Sequence, residues 1–360
     1  MSNSGGNKGE WSEVYAFLKL LRDGRIYAAD EQLNPIPNMY LPIIKIQREE
    51  NIGQVYDYQT KEAIHIYLNN IHQKTITIEQ VDQAGAILYQ ELFNRTSKGT
   101  LSFEESGIKD FLHDLYIRKI KASSTQKTDI TLQIIDIHTG FSPLVGFSIK
   151  SQLGSPSTLL NASKATNFIF KITGIDDAFM EEVNAIDGDK KIIRRFDSIY
   201  SVARSVQFIH VPNENFSNNL EMIDSRMAEI LGYILIYRYR DNLKNLQPIV
   251  ERLIRDNPIN YRNPQIYSYK VKKLLSAVAL GMLPNKTWDG IDEANGGYII
   301  VKSDGDILAY YLHNRNAFED YLLQSTYLET GSTTRHEFAT IYKVEDEYFI
   351  NMNLQIRFKA

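Results

Sequence analysis

Thr128-Asp129-Ile130-Thr131-Leu132-Gln133-Ile134-Ile135-Asp136-Ile137, followed by His138-Thr139-Gly140-Phe141-Ser142-Pro143 and then Gly146-Phe147-Ser148-Ile149-Lys150-Ser151-Gln152, reads as strand, turn, strand. Side chains alternate along a strand. Ile130, Leu132 and Ile134 therefore share one face, and Asp129, Thr131 and Gln133 the other. In the second run Phe147, Ile149 and Leu153 share an apolar face, while Ser148, Lys150 and Gln152 share a polar one. Residues directly opposite in an antiparallel pair have a constant sum of positions and lie on one face. Joining the two apolar rows requires an odd sum, which places Asp129 on the face of Ser148, Lys150 and Gln152. A one-residue slip would expose both apolar rows. Asp136 points into the apolar layer unless it lies past the strand end. Asp129 is the expected partner of Lys150, with Asp136 the alternative.

A carboxylate and a lysine on one polar face have two readings. One is a structural ion pair. The other is a metal site, since a hard cation such as Mg²⁺ takes carboxylate and carbonyl oxygens. A lysine beside it would steady the charge on a scissile phosphate. A second carboxylate is available on the first predicted helix, Glu10–Asp23, which stops at Gly24. There Trp11, Val14, Tyr15, Leu18 and Leu21 form the apolar stripe. Glu13 lies on the far side, yet Phe17 and Leu20 flank it. A charge on a helix that is apolar nearly all round must be paired or bind a cation. A salt bridge and a metal ligand are equally open.

Two polar segments are candidate contacts to nucleic acid. Ser157, Thr158, Asn161 and Ser163 lie in the run that follows Lys150. Thr334, Arg335 and His336 precede the last predicted hairpin. An arginine among small hydroxyl residues suits a bidentate guanine contact; both runs also fit ordinary surface loops.

The chain of 360 residues has a net charge of −4 and no cysteine. Disulfides and zinc–thiolate sites are excluded, so a metal must be held by oxygen or imidazole. The seven histidines show no tight metal spacing. Neither a dinucleotide-binding glycine motif nor a Walker phosphate loop is present. The acidic total argues against a protein that coats nucleic acid non-specifically. Locally the balance reverses. Between Leu235 and Leu275 nine basic residues, from Arg238 to Lys273, face only Asp241, Glu251 and Asp256. Lys190, Lys191, Arg194 and Arg195 form a shorter basic stretch. These clusters fit solvated helix faces, or a polyanion groove in an acidic body. No stretch reaches ~18 uninterrupted apolar residues, so no membrane helix is expected. The first residues do not read as a secretion signal, and the expected address is the cytoplasm.

The chain divides into three expected regions. Residues 1–121 are read as mainly helical, with helices at Glu10–Asp23, Ile78–Phe93 and Phe103–Lys121. Residues 122–215 hold the catalytic sheet, including a strand at Asn167–Ile172. Residues 216–360 combine helices at Phe216–Arg240 (Ser217 as N-cap), Lys244–Arg255 and Ser268–Gly281 with C-terminal strands for DNA recognition. Those strands are Tyr298–Lys302, Ile307–Leu312 and a final hairpin of Ala339–Val344 with Tyr348–Phe358.

At Gly9-Glu10-Trp11-Ser12-Glu13, at Gly146-Phe147-Ser148-Ile149-Lys150-Ser151 through Leu159-Leu160-Asn161-Ala162-Ser163, and at Asn353-Leu354-Gln355-Ile356-Arg357-Phe358, the sequence resembles the HpaII-type restriction endonucleases. The similarity runs along nearly the whole chain. It implies the PD-(D/E)xK nuclease fold: an α/β arrangement with a central mixed sheet flanked by helices, here with helical and C-terminal β additions. It also implies Mg²⁺-dependent hydrolysis of double-stranded DNA at a CCGG-like site, and a cognate methyltransferase protecting the host. On that pattern Asp129 is the metal-binding aspartate and Lys150 the lysine. Ser148 departs from it, standing where the pattern has Asp or Glu. The missing ligand is then Glu13 or a neutral oxygen such as that of Gln152. A palindromic target implies a two-fold homodimer. The rival expectation is a site-specific DNA-binding protein whose nuclease centre has decayed.

Overall fold

The computed structural model describes residues 5–95, 99–121, 128–136, 139–311 and 314–359. Of the residues assigned above, Met1–Ser4, Ile137, His138 and Leu312 lie outside these. The chain forms two compact units, one of residues 1–157 with 292–321 and one of 158–291 with 322–359. The boundary at 157/158 falls inside the stretch expected to form one catalytic region.

The first unit holds, in chain order, β1 (Gly5–Gly6), α1 (Lys8–Asp23), β2 (Arg25–Ala29), β3 (Pro35–Asn51), β4 (Gln54–Thr60), β5 (Ile64–Leu68) and β6 (Ile71–Ile76). α2 (Ile78–Asn94), β7 (Leu101–Ser102), α3 (Lys109–Asp114), β8 (Ile130–Ile134) and β9 (Leu144–Ser151) follow, and the chain later returns with β13 (Gly297–Val301) and β14 (Ile307–Tyr310). Nine of these strands make one mixed sheet in the order β2-β14-β13-β9-β8-β3-β4-β5-β6. The pairs β13–β9 and β14–β2 are parallel and the others antiparallel. The long β3 also pairs with β2 through its first half, so six strands close on themselves. This is the expected mixed sheet.

Helix α1 starts two residues earlier than predicted, because Asn7 and Glu10 form a reciprocal capping box. It ends at Gly24, whose φ of 59° is the left-handed conformation that glycine adopts without strain. Trp11, Val14, Leu18 and Leu21 are buried as predicted, together with Phe17 and Leu20, in the core beneath the sheet.

Several expected elements differ. Residues 25–76 form β2–β6 rather than helix. The two-residue turn at Asn69 and Asn70, with φ of 50° and 65°, closes a tight hairpin between β5 and β6. The expected helix Phe103–Lys121 shrinks to α3 (Lys109–Asp114), with left-handed residues at Gly107 (φ 71°) and Tyr116 (φ 60°) on either side.

The second unit contains β10 (Thr158–Leu160), β11 (Asn167–Thr173), α4 (Asp177–Ala185), α5 (Lys191–Val202), β12 (Ser205–His210), α6 (Glu214–Ile223), α7 (Met227–Arg240), α8 (Leu246–Asp256) and α9 (Ile266–Ala279). The chain re-enters it within α10 (Arg315–Ser325) and continues through β15 (Thr326–Leu328), α11 (Thr333–His336), β16 (Ile341–Val344), β17 (Glu347–Asn353) and β18 (Ile356–Phe358). Its sheets run β12-β11-β17-β16 and β10-β18-β15. α4 and α5 interrupt what was expected to be a run of strands. The expected helix Phe216–Arg240 is two helices, capped by Asn213 rather than Ser217 and broken at Asp224, whose carboxylate accepts from Arg226 N (2.9 Å). The final hairpin pairs β16 with β17, and Ile356–Phe358 leaves it to join β10 and β15.

Candidate active site

The β8–β9 hairpin has the register required by its apolar rows. Ile130 faces Phe147, Thr131 faces Gly146 and Leu132 faces Val145. Ile130, Leu132, Ile134, Phe147 and Ile149 are all buried. Gly146 sits where a Cβ would stand 2.3 Å from the Thr128 side chain, so a glycine is required beside the start of β8. β9 is clamped on its other edge by β13, with Ile300 opposite Lys150 and Tyr298 opposite Ser148.

Asp129 lies just before β8 and continues the ladder through its N–H, which donates to Phe147 O (3.0 Å). One carboxylate oxygen, Oδ2, accepts from the Ile149 N–H (2.7 Å) and from Ser148 Oγ (3.1 Å). The rotamer is fixed through one oxygen, and no hydrogen bond among the described residues engages the other. Ser148 is buried and serves Asp129. Asp136 is past the end of β8 and buried; its carboxylate accepts from Thr139 N (3.3 Å), and its charge acts on Tyr311. Asp129, not Asp136, therefore faces Lys150's side of the sheet.

Glu13 comes from the middle of α1, which packs on β9. Burial and the adjacent Asp129 charge push its carboxyl up to about 8, against the opposing pull of Lys121 and Lys150. Two carboxylates share one poorly solvated place with a lysine beside them. Lys150 Nζ stands 6.0 Å from the centre of the buried Tyr298 ring. Glu13 and Lys150 line a cleft of about 750 Å³ with Lys8, Arg95, Gly154, Ser155 and Ser157. Gln152 is exposed just beyond β9; its N–H donates to Val301 O (2.8 Å), and it does not line the cleft.

Hard oxygens in a half-buried pair are the donor chemistry of a divalent cation, which would relieve the repulsion that raises Glu13. Among the described residues no group of three His, Cys, Asp or Glu forms a ready-made cage. The site offers two carboxylates, leaving room for water and substrate oxygens.

The other candidates divide between the units. Ser157 belongs to the cleft of the first unit. In the second, Thr158 pairs with Arg357 on β18, and the backbone carbonyl of the half-buried Ser163 accepts from Asn353 Nδ2 (2.8 Å). Asn161, Thr334 and Arg335 are exposed, while His336 is half-buried. Burial and the Arg335 charge hold His336 below its ordinary pKa. A Cβ on Gly331 would lie 2.8 Å from Ala162 and 3.0 Å from the His336 ring, so the two predicted polar runs adjoin.

The basic stretches divide into buried, paired and exposed side chains. Arg238 is buried and donates to Asn242 Oδ1 (3.2 Å) and Thr330 Oγ1 (3.0 Å). Arg240, Arg252 and Lys270 are paired with Asp241, Asp256 and Asp224. Arg195 is buried and donates to the carbonyls of Asn184, Ile186 and Ala339. These five side chains are committed within the second unit, whereas Lys190, Arg194, Lys244, Arg255 and Arg262 are exposed. Lys8 and Arg95, absent from the sequence expectations, line the cleft instead.

The sequence profile of the HpaII restriction endonuclease family matches residues 7–358. The chain belongs to the HpaII restriction endonuclease family. It is 42% identical over 357 residues, 98% of either chain, to "Type II restriction enzyme HpaII" of Haemophilus parainfluenzae, and is thus a close homologue of a type II restriction enzyme. A local similarity, 28% identity over 88 residues, links 24% of the chain to 27% of an uncharacterized MscS family protein of Archaeoglobus fulgidus. No helix among the described residues is long and apolar enough to cross a membrane. No solved structure gives a significant match. Restriction enzymes of this type generally need a divalent metal ion, in keeping with the donor set of Glu13 and Asp129.

Proposed function

We propose that this chain is a cytoplasmic, Mg²⁺-dependent endonuclease that hydrolyses phosphodiester bonds of double-stranded DNA at a short CCGG-like site. The observation that carries the reading is the convergence of Glu13 and Asp129, from a helix and a sheet, beside Lys150 at an open cleft. Asp129 and Glu13 would hold Mg²⁺. When bound, the ion supplies concentrated positive charge beside the phosphate. Ser148 and the Ile149 N–H keep Asp129 in one rotamer. Lys150 offsets the negative charge that grows on the phosphoryl oxygens during in-line attack by water. No side chain becomes covalently attached.

Arg335, whose guanidinium has no hydrogen-bond partner among the described residues, is the proposed guanine-reading side chain, with Asn161, Thr334 and His336 beside it. A palindromic site would be met by a two-fold dimer, and sedimentation on DNA would reveal it. A cognate DNA methyltransferase would protect the host's own sites.

Digestion of plasmid and phage DNA in Mg²⁺ and in EDTA, beside Lys150→Ala, tests the reading. Discrete fragments that require Mg²⁺ and vanish in the variant support it, and sequencing their ends gives the site. Intact DNA with site-specific binding in Ca²⁺ would overturn it in favour of a decayed nuclease. Ser148 alone suggests such decay; the carboxylate of Glu13 supports an active centre.

A further inference from the structure

Lys8 and Arg95 line the cleft, and the chemistry above gives neither a task. Lys8 sits at the start of α1. Lys8 is half-buried, and among the described residues it forms no ion pair. Its aliphatic stem lies along the loop after β9, where a Cβ on Gly154 would meet Lys8 Cδ, Cβ and Cγ at 3.6–3.8 Å. Its Nζ donates to the backbone carbonyl of Arg95 (3.3 Å), so the ammonium is tied down at the end of α2. Arg95 caps α2 there, its N–H donating to Glu91 O (3.2 Å). One guanidinium arm, Nη2, donates to Thr100 O (2.8 Å) and stands 4.0 Å from Glu105, while the buried Nε has no hydrogen-bond partner among the described residues.

Of the acids in the cleft, Glu13 belongs to the site above and Glu10 is already engaged. Glu10 accepts from the Asn7 N–H (2.8 Å) in the capping box, and its carboxylate is held to the helix start. A partly desolvated ammonium with no carboxylate partner costs stability unless an anion reaches it. Its place in the same cleft as Lys150 indicates which anion that is. DNA carries one phosphate per ~3.4 Å of axis on each strand, so a strand laid across a cleft of this size brings a second phosphate within reach.

We propose that Lys8 and Arg95 form a second phosphate-binding subsite, which anchors the DNA backbone next to the phosphate that Glu13, Asp129 and Lys150 attack. The inference rests on the endonuclease reading and adds to it the way the cut strand is held. Lys8 supplies charge without geometric demand, and Arg95, held through Nη2, adds a second fixed positive charge. Neither touches the reacting atoms. Removing them weakens the hold on any DNA without changing which sequence is chosen.

The test uses the full chain and two duplexes, one with the cleaved site and one of random sequence, titrated over a salt range in Ca²⁺. Lys8→Ala is expected to weaken binding to both and to make the salt dependence shallower by about 0.9 in log–log slope. Lys8→Arg should retain the native slope. Under cleavage conditions Lys8→Ala should raise KM with kcat nearly unchanged. Arg95→Ala is read the same way, with its melting temperature recorded, because the Nη2 bond to Thr100 O is lost. A native salt slope and KM in Lys8→Ala would overturn the subsite, as would a fall in melting temperature and kcat with no change in slope. If the native chain cuts nothing yet Lys8→Ala still flattens the slope, the endonuclease reading fails and the subsite stands. If the native chain cuts and the slopes agree, the subsite fails alone. A chain that binds no DNA overturns both.

Discussion

Glu13 is a carboxylate placed where it is reluctant to ionise, and that reluctance is measurable. With no cation present the folded chain keeps the Glu13 proton up to about pH 8, whereas the unfolded chain releases it in the ordinary carboxylate range. Between those limits the folded state binds more protons, so its stability falls as pH rises. In EDTA the melting temperature should decline between about pH 5 and about pH 8 through this group. Mg²⁺ or Ca²⁺ should restore it most at the upper end, and Glu13→Gln should remove both effects. A divalent-ion stabilisation that persists undiminished in Glu13→Gln would exclude Glu13 as a ligand. Ser148→Ala removes one of the two donors on Asp129 Oδ2 and should lower kcat by roughly fivefold, about 1 kcal/mol. Lys150→Ala should cost roughly 10²–10³ or more. The shared face of Asp129, Ser148 and Lys150 was legible in the sequence because a period of two fixes it, as the β8–β9 register bears out. Lys8 and Arg95 were not, since nothing in the spacing of 8, 95 and 150 signals that they meet.

At the scale of elements, the β8–β9 hairpin depends on a residue with no side chain. Gly146→Ala would drive a methyl group into Thr128, next to Asp129. The variant should fold less stably by about 1–3 kcal/mol and lose most of its cleavage, whereas Gly85→Ala, in α2 where the added Cβ would lie 4.0 Å from Leu18, should leave kcat unchanged. Equal activity in the two would mean that the hairpin tolerates a shift at Asp129. Helices with strong end signals, such as α1 with Asn7 and Gly24, were readable to within two residues. The strands β2–β6 were harder. Lys45, Gln47, Arg48 and Glu49 crowd one strand with charge and polar groups, which hides its alternation. Several of these find partners on the same sheet; Lys45 and Gln47 both bond Asp57 at 2.7 Å. Such cross-strand pairing is a tertiary fact that local propensity does not contain.

For the whole molecule, composition separated the possible from the excluded, but it could not tell a free cation from a committed one. Arg238→Ala should therefore lower the melting temperature by several degrees while leaving the salt dependence of DNA binding unchanged. Arg335→Ala should leave stability untouched and reduce discrimination between cognate and random DNA by about 1–3 kcal/mol. The opposite pattern in either variant would reverse the assignment of that arginine. The order of the strands has a consequence for how the protein is made. β9, which carries Lys150, is laid against β13, and β13 is encoded far downstream. During translation the gap is roughly 150 residues, or roughly 8–30 s at ~5–20 residues per second. Throughout that interval Glu13, Asp129 and Lys150 have all left the ribosome, yet the sheet that aligns them still lacks a strand. On the proposed site, a nascent or prematurely terminated chain ending before Gly297 is disarmed by its own topology, and the cell that makes it meets a competent cutter only after β13 has been made.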